Sequence, residues 1–362
     1  MAAAPIPAPL LTKKKLIRRS APDRSQLIRH SVQLAFVALN AWLGLQFFLW
    51  VRYFERGGAG LYVERPAGVE GWLPIAGLMN FKYFLSTGRI STIHPAALLL
   101  FTAFVLMSLF LKKAFCSWLC PVGAFSEFLW HLGRRLFTRN LRLPAWLDLP
   151  LRSLKYLLLA FFVFIIGSMS AEELSSFLQS PYGLLADVKM LNFFRDISLT
   201  AGIVLVVLVV LSLVVQNFWC RYLCPYGALM GLVSFFSPVK IRRDAEACID
   251  CAKCARACPA GLAVDHLVQI RSVECTGCME CVAVCPAKDA LAFALPPLNQ
   301  PTPAERWQRR VFPPGAVAAL VLATFMAFAL GGHLSGHWQT NLPHQVYLEL
   351  VPIANSLNHA GM

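Results

Sequence analysis

Two cysteine runs late in the chain constrain its fold more than any other feature. Cys248, Cys251, Cys254 and Cys258 precede Pro259, and Cys275, Cys278, Cys281 and Cys285 precede Pro286, with the same spacing in both runs. Three thiolates at steps of three wrap one iron cubane when a tight loop turns their sulfurs inward. The fourth cysteine of each run reaches across to the other cubane. That pattern assigns Cys248, Cys251, Cys254 and Cys285 to one [4Fe–4S] cluster, and Cys275, Cys278, Cys281 and Cys258 to a second. Zinc in a four-thiolate site pairs two CxxC knuckles and has no use for eight interlocked cysteines. Each proline biases the cysteine before it toward extended backbone, and Gly277 leaves room for close backbone approach. Lys253, Arg256 and Lys288 lie near the cysteines; they either offset cluster charge or form a solvated docking face.

The other four cysteines fall in Cys116-Ser-Trp-Leu-Cys120-Pro121 and Cys220-Arg-Tyr-Leu-Cys224-Pro225, so none of the twelve is left for a structural disulfide. Pro121 and Pro225 suit the first position of a helix, which leaves Cys120 and Cys224 near its N-cap. A thiol there meets the positive end of the helix dipole and loses its proton more readily. Cys116 and Cys220 lie one turn earlier, at the end of the preceding apolar run. We read the four as cofactor-binding, with a third metal centre and a redox-active dithiol both open, beside the plain reading of small residues closing a helix junction. Trp118 and Tyr222 hold equivalent places in the two motifs and are expected to be interfacial anchors.

Hydrophobic residues make up 57% of the chain and charged ones 14%, against about 25% charged in soluble domains. A bilayer core takes about 20 helical residues. Apolar runs at 32–54, 94–111, 154–169, 202–216 and 313–330 predict five spans. Residues 73–87 are broken by Pro74, Gly77 and Lys82 and are expected to be re-entrant or interfacial. Basic residues collect in the N-terminal tail (Lys13, Lys14, Lys15, Arg18, Arg19, Arg24, Arg29), in 112–153 (Arg134, Arg135, Arg139, Arg142, Arg152) and in 240–311. Residues 331–362 hold no Lys or Arg. The positive-inside rule then puts the N-terminus and the cluster-binding segment in the cytoplasm and the C-terminus in the periplasm. The net charge of +14 is topological on this reading, which argues against nucleic acid as a partner and for membrane lipid. The basic start reads as a retained tail rather than a cleaved signal.

The fold class expected is mainly α: a polytopic helical membrane bundle carrying a small α+β ferredoxin domain. The doubled CxxxCP motif predicts an internal repeat of two helical hairpins about a pseudo-two-fold axis. The chain divides into a basic tail (1–31), a membrane domain (32–239), a 2[4Fe–4S] domain (240–296), a Pro-rich linker with the last span (297–331) and an outer tail (332–362). His94 is expected to be an interfacial polar residue or a proton acceptor from quinol. His333, His337, His344 and His359 lie on the outer tail, where glycines spoil helical pairing of ligands.

The motifs CSWLCPVGAF, CRYLCPYGAL, LPIAGLMNFKYFLSTG and SGHWQ resemble the membrane and C-terminal parts of NosR-type proteins of nitrous oxide reductase systems. The two regular cluster motifs are similar to NapH-type membrane ferredoxins of periplasmic nitrate reduction, and CcoG-type accessory proteins are more distant. The resemblance spans residues 30–340. It implies a bacterial inner-membrane protein passing electrons between quinol or cytoplasmic donors and a periplasmic redox partner. Two departures stand out: the residues before 32 leave no room for the flavin-binding domain of NosR-type proteins, and NapH-type proteins lack the last span and outer tail. No nucleotide loop, catalytic triad or paired-carboxylate site is visible, so a non-catalytic electron-transfer subunit is expected. The alternatives are a copper assembly or reduction factor for a respiratory enzyme and a redox-sensing membrane regulator.

Overall fold

The first helix starts earlier than its apolar run. In the computed structural model, which describes residues 17–19, 23–137, 140–141, 143–296 and 310–357, α1 runs from Ser25 to Glu55. Its polar first turns are helical because they have partners: Arg29 and Gln33 are buried, and both bond Glu127. The charged residues Lys13, Lys14, Lys15, Arg139 and Arg142, the linker residues 297–309 and His359 lie outside the described residues.

α2 (Pro74–Thr87) and α3 (Pro95–Phe110) follow, and α3 is the buried centre of the bundle, packed on α2 and on the helices Pro225–Ser234 and Pro314–Leu334. Residues 112–153, expected to be a basic loop, contain a 17-residue amphipathic helix, α4 (Pro121–Phe137), which packs on the helix Leu199–Val214. Their approach requires Gly133, where a β-carbon would overlap the Leu213 carbonyl oxygen. α5 (Ala145–Ser168) also starts before its apolar run. After α6 (Ala171–Gln179) and the single turn α7 (Pro181–Leu184), α8 (Ala186–Arg195) bends by 82° into α9 (Leu199–Val214). α10 (Pro225–Ser234) leads into the cluster-binding segment. Of the five spans expected, α1, α5 and α13 (Pro314–Leu334) are long and apolar enough to cross a membrane, and the bent α8–α9 pair is a fourth if counted as one span. α3 has 16 residues, short of the usual crossing length.

The cluster-binding segment pairs β1 (Lys240–Arg243) antiparallel to β2 (Leu291–Ala294), with Ile241 opposite Phe293. Between the strands lie the short helices α11 (Lys253–Ala257) and α12 (Glu280–Ala283). Chain from both sides is sewn onto this unit: Lys288 N–H donates to Ile17 O at 2.8 Å and Phe312 N–H to Phe293 O at 2.8 Å. Residues 17–19 are therefore docked rather than trailing. One hydrophobic core runs without a break from Met107, Leu111 and Trp118 to Met230, Ile241 and Phe293, which fixes the cluster unit against the membrane helices. At the opposite end, Phe47, Trp50 and Phe54 of α1 pack against Tyr347 of α14 (His344–Leu350).

Candidate iron–sulfur sites

Each ferredoxin-type loop turns on residues with left-handed backbone. Asp250 (φ 54°) and Ala252 (φ 54°) flank Cys251, and Gly277 (φ 65°) and Met279 (φ 60°) flank Cys278. Reversals of this kind aim successive side chains at one point. Thiols of the two runs come close to one another. Cys285 of the second run has Cys248 and Cys251 as neighbours, and Cys254 has Cys285 and Cys248. Cys258 of the first run faces Cys275, Cys278 and Cys281, and these four wall a cavity of about 20 Å³. Backbone N–H groups of Ala255, Leu262, Gly277 and Glu280 are aimed at Cys254, Cys258, Cys275 and Cys278. Converging sulfurs with peptide N–H donors fit an iron–sulfur cluster, whose potential such bonds tune. Burial pushes the Cys254 and Cys278 thiols up to about 11, so ligation must displace protons.

The second loop is bolted to the membrane domain. Ser117 Oγ donates to Thr276 O at 2.7 Å, Trp118 Nε1 to Gly277 O at 3.3 Å, and Gln26 Nε2 to Cys278 O at 3.0 Å. Lys155 of α5, fully buried, holds both oxygens of Glu274 at 2.6 and 2.8 Å, and Tyr156 Oη donates to the same carboxylate at 2.9 Å. Trp118 and Tyr222 are thus core residues, correcting the expectation of interfacial anchors. Trp118 is 0% and Tyr222 1% exposed, and their polar tips bond the Gly277 carbonyl and Asp148. Asp148 also pairs with Arg221 and Arg152. These charged partners escaped sequence reading because each is brought by a distant segment; a lone Lys155 at the start of an apolar run was the available signal.

The CxxxCP motifs share a local construction. α3 and α9 stop, the chain reverses at Lys112 (φ 58°) and Asn217 (φ 52°), and a π-helical turn follows at Phe115–Leu119 and Trp219–Leu223. Cys116 and Cys220 sit in these wide turns rather than at the end of the preceding helix. Left-handed backbone at a non-glycine costs about 1–2 kcal/mol. At Lys112 it is offset by hydrogen bonds from its N–H to Ser237 Oγ at 2.9 Å and from Nζ to Ser272 O at 3.1 Å. Pro121 and Pro225 open α4 and α10 as expected. Gly227 N–H donates to Cys224 Sγ at 3.2 Å, and Gly123 N–H points at the Cys120 sulfur. Gly123 must lack a β-carbon, which would overlap the Cys116 carbonyl oxygen. Both motifs face one cavity of about 270 Å³, whose wall includes Cys116, Cys120, Cys220 and Cys224.

His94 is not at an interface. It is fully buried, with Nε2 2.9 Å from Gly183 O and Nδ1 3.3 Å from Glu70 Oε1. Arg65 joins Glu70 (2.9 Å) to Asp187 (2.6 Å), and Thr340 Oγ1 donates to Glu70 at 2.9 Å. Burial pushes the Glu70 carboxyl up, but Arg65, His94 and Thr340 more than offset it and hold it at about 2. His344 packs among the rings of Tyr53, Phe54 and Tyr62, and His333 against Trp338. Among the described residues, His30, Glu127 and Glu280 are the group of three whose ligand atoms lie within 4.8 Å of one another; Arg29 already pairs with both carboxylates.

Comparison with known proteins agrees with this geometry. A family model described as a 4Fe-4S binding domain matches residues 93–140 and 197–244, and one described as a 4Fe-4S dicluster domain matches 240–290. The putative electron transport protein YccM of Escherichia coli is 49% identical over 331 residues, covering 91% of each chain. The regulatory protein NosR of Pseudomonas aeruginosa is 31% identical over 52% of this chain and 26% of its own length. The ferredoxin-type protein NapH of Escherichia coli is 29% identical over 43% of this chain and 50% of its own. No solved structure matches significantly. With its cysteine loops, its apolar helices and these relatives taken together, the chain belongs to the family of membrane 4Fe-4S ferredoxin-type proteins.

Proposed function

We propose that this chain relays electrons across a bacterial inner membrane, between a quinol or cytoplasmic donor and a periplasmic redox partner. In this reading two [4Fe–4S] clusters are held, one by Cys248, Cys251, Cys254 and Cys285 and one by Cys275, Cys278, Cys281 and Cys258. Each cluster, when bound, stores and releases single electrons. The observation that carries the proposal is the placing of Cys278, which stands in the wall of both the small ferredoxin-side cavity and the large cavity of the CxxxCP cysteines. The cluster-binding loop thus reaches the cavity of the CxxxCP cysteines.

The chain's own residues hold that junction. Ser117, Trp118 and Gln26 clamp the backbone from Thr276 to Cys278, and Lys155 with Tyr156 clamps Glu274. A loop fixed by buried bonds reorganises little when charge arrives, which favours transfer. In the same reading the membrane domain spans five times as two related hairpins, with the N-terminus and the ferredoxin unit inside and the C-terminal segment outside. The chain divides at about residues 31, 239, 296 and 331, and Cys116, Cys120, Cys220 and Cys224 form a further cofactor station. The names of the relatives YccM and NapH support the electron-transfer class.

The test is anaerobic purification of the full chain with iron and sulfide counts, followed by quinol addition to membranes. The expected result is about eight irons in the ferredoxin-type site and cluster reduction by quinol or by a cytoplasmic reductant. Protein free of inorganic sulfide, or clusters that accept electrons from neither side, would refute it.

A further inference from the structure

β1 has a second neighbour besides β2. Arg242 bridges Gln269 antiparallel, Ile270 N–H donates to Ile241 O at 2.9 Å, and Arg243 N–H donates to Val268 O at 2.8 Å. Continuing that register sets Arg271 opposite Lys240. Side chains alternate across a strand, so this strip has two unlike faces. Ile241, Ile270 and Phe293 point into the core. Lys240, Arg242 and Arg271 share the other face, beside the small residues Ala292 and Ala294. Like charges set opposite one another in a sheet destabilise it, and these three do feel one another. Burial lowers Lys240 and the charges of Arg242 and Arg271 lower it further; burial and Arg271 do the same to Arg242. Among the described residues, no carboxylate joins them.

The cationic heads are held in place. Arg242 Nε donates to Ala294 O at 3.2 Å and Nη1 to Gln269 Oε1 at 2.6 Å. Lys240 Nζ donates to the carbonyls of Phe235 and Ser237, just past the end of α10. None of these partners carries a formal charge, so the positive charge is positioned without being neutralised. An apolar rim lies beside it. Phe235 and Phe236 follow α10, and Phe236 is 74% exposed. Ser237 Oγ donates to the carbonyl of Phe110, the exposed last residue of α3. The three rings thus cap two helices of the membrane domain. A fixed cationic face with a phenylalanine rim fits a molecule that is anionic at its head and apolar behind it. A soluble anion would leave the rim unused.

We propose that Lys240, Arg242 and Arg271 bind the phosphate of an anionic phospholipid, whose acyl chains lie against Phe110, Phe235 and Phe236. The occupant is a lipid rather than an acidic protein because the rim stands at the ends of membrane-domain helices, where headgroup meets chain. Bound there, the headgroup ties the sheet of the ferredoxin-type unit to the leaflet and turns the mutual repulsion of three cations into attraction. Arg271 opens the segment whose Ser272 carbonyl is held by Lys112, so the lipid also steadies the entry to the second cysteine loop. The leaflet is the inner one on the topology proposed above. Binding itself rests neither on that topology nor on electron relay.

The test titrates the full chain, purified anaerobically in a neutral detergent, with phosphatidylglycerol or with phosphatidylcholine of the same acyl chains, and reads bound lipid by native mass spectrometry. Phosphatidylglycerol should be held roughly 100-fold more tightly, at about a factor of five per basic residue. Arg242→Gln/Arg271→Gln should weaken it roughly 25-fold and Arg271→Gln alone about fivefold. Lys253→Gln, which removes an exposed lysine outside this face, should leave it unchanged. Equal retention of the two lipids by the wild-type chain overturns the site, whatever the variants do. Undiminished affinity in Arg271→Gln overturns it too, as does an equal loss in Lys253→Gln, which would mean general attraction. Displacement by millimolar inorganic phosphate would make the ligand a soluble anion and overturn the lipid. Iron content is read on the same samples. Protein that prefers phosphatidylglycerol but holds no iron refutes the relay reading and leaves this site standing; protein with iron and no lipid preference does the reverse.

Discussion

Replacing Lys155 by Met should loosen the second cluster-binding loop without touching a cysteine. Lys155 is 0% exposed and grips Glu274 through two short contacts, and Glu274 is 13% exposed. Removing one partner of a buried pair costs about 3–5 kcal/mol because the other charge is left uncompensated. Glu274 keeps the Tyr156 hydroxyl, the nearby charge of Lys113 and some solvent, so the lower end, about 3 kcal/mol, applies. That is a factor of roughly 100 in the local opening equilibrium of residues 272–278. Amide hydrogen exchange measures it directly: these amides should exchange about 100-fold faster in Lys155→Met, with α1 and α13 unaffected. The double variant Lys155→Met/Glu274→Gln removes the stranded charge and should recover most of the protection. Unchanged exchange in the single variant, or equal loss in the single and double variants, would refute the claim that this ion pair fixes the loop.

Gly277→Ala places a side chain at φ 65° and should cost about 1–2 kcal/mol, seen as faster iron loss under chelator. Gly315→Ala, which meets nothing, is the matched control. Cys258→Ser should abolish the same paramagnetic signal as Cys275→Ser, whereas Cys285→Ser should match Cys251→Ser; pairing by run instead of across runs would refute the crossed ligand sets. The seam of Glu70 and His94 should loosen in acid. Glu70 titrates lower in the folded chain than its ordinary 4.5, at about 2. Its contribution, roughly 3 kcal/mol, is present above pH 4.5 and is lost as pH falls toward 2. Exchange at residues 340–351 should therefore accelerate in acid, and Glu70→Gln should remove that acceleration.

The cysteine code was legible because it is local. Spacing of two, two and three residues followed by proline can be read without the fold; the fold brings Cys285 near Cys248 and Cys251, and Cys258 near Cys275. The helix starts at Pro121 and Pro225 were legible for the same reason, since a proline fixes its own backbone angle. The apolar runs announced helices, but their ends were set elsewhere. α1 gains its first turns from Arg29 meeting Glu127, and α3 ends at Phe110 because the chain reverses at Lys112, whose side chain finds the Ser272 carbonyl.

What only the tertiary structure decided was the surroundings of each polar or aromatic side chain. Trp118, Tyr222 and His94 looked like residues of a membrane boundary, and each is buried because a remote segment supplies the partner for its polar atom. Lys113, just past an expected span, lines the cavity shared by the two CxxxCP motifs. Spacing along a chain fixes directions over a turn or two; the free energy of a buried charge depends on what lies across the cavity, and that is known only once the helices have packed.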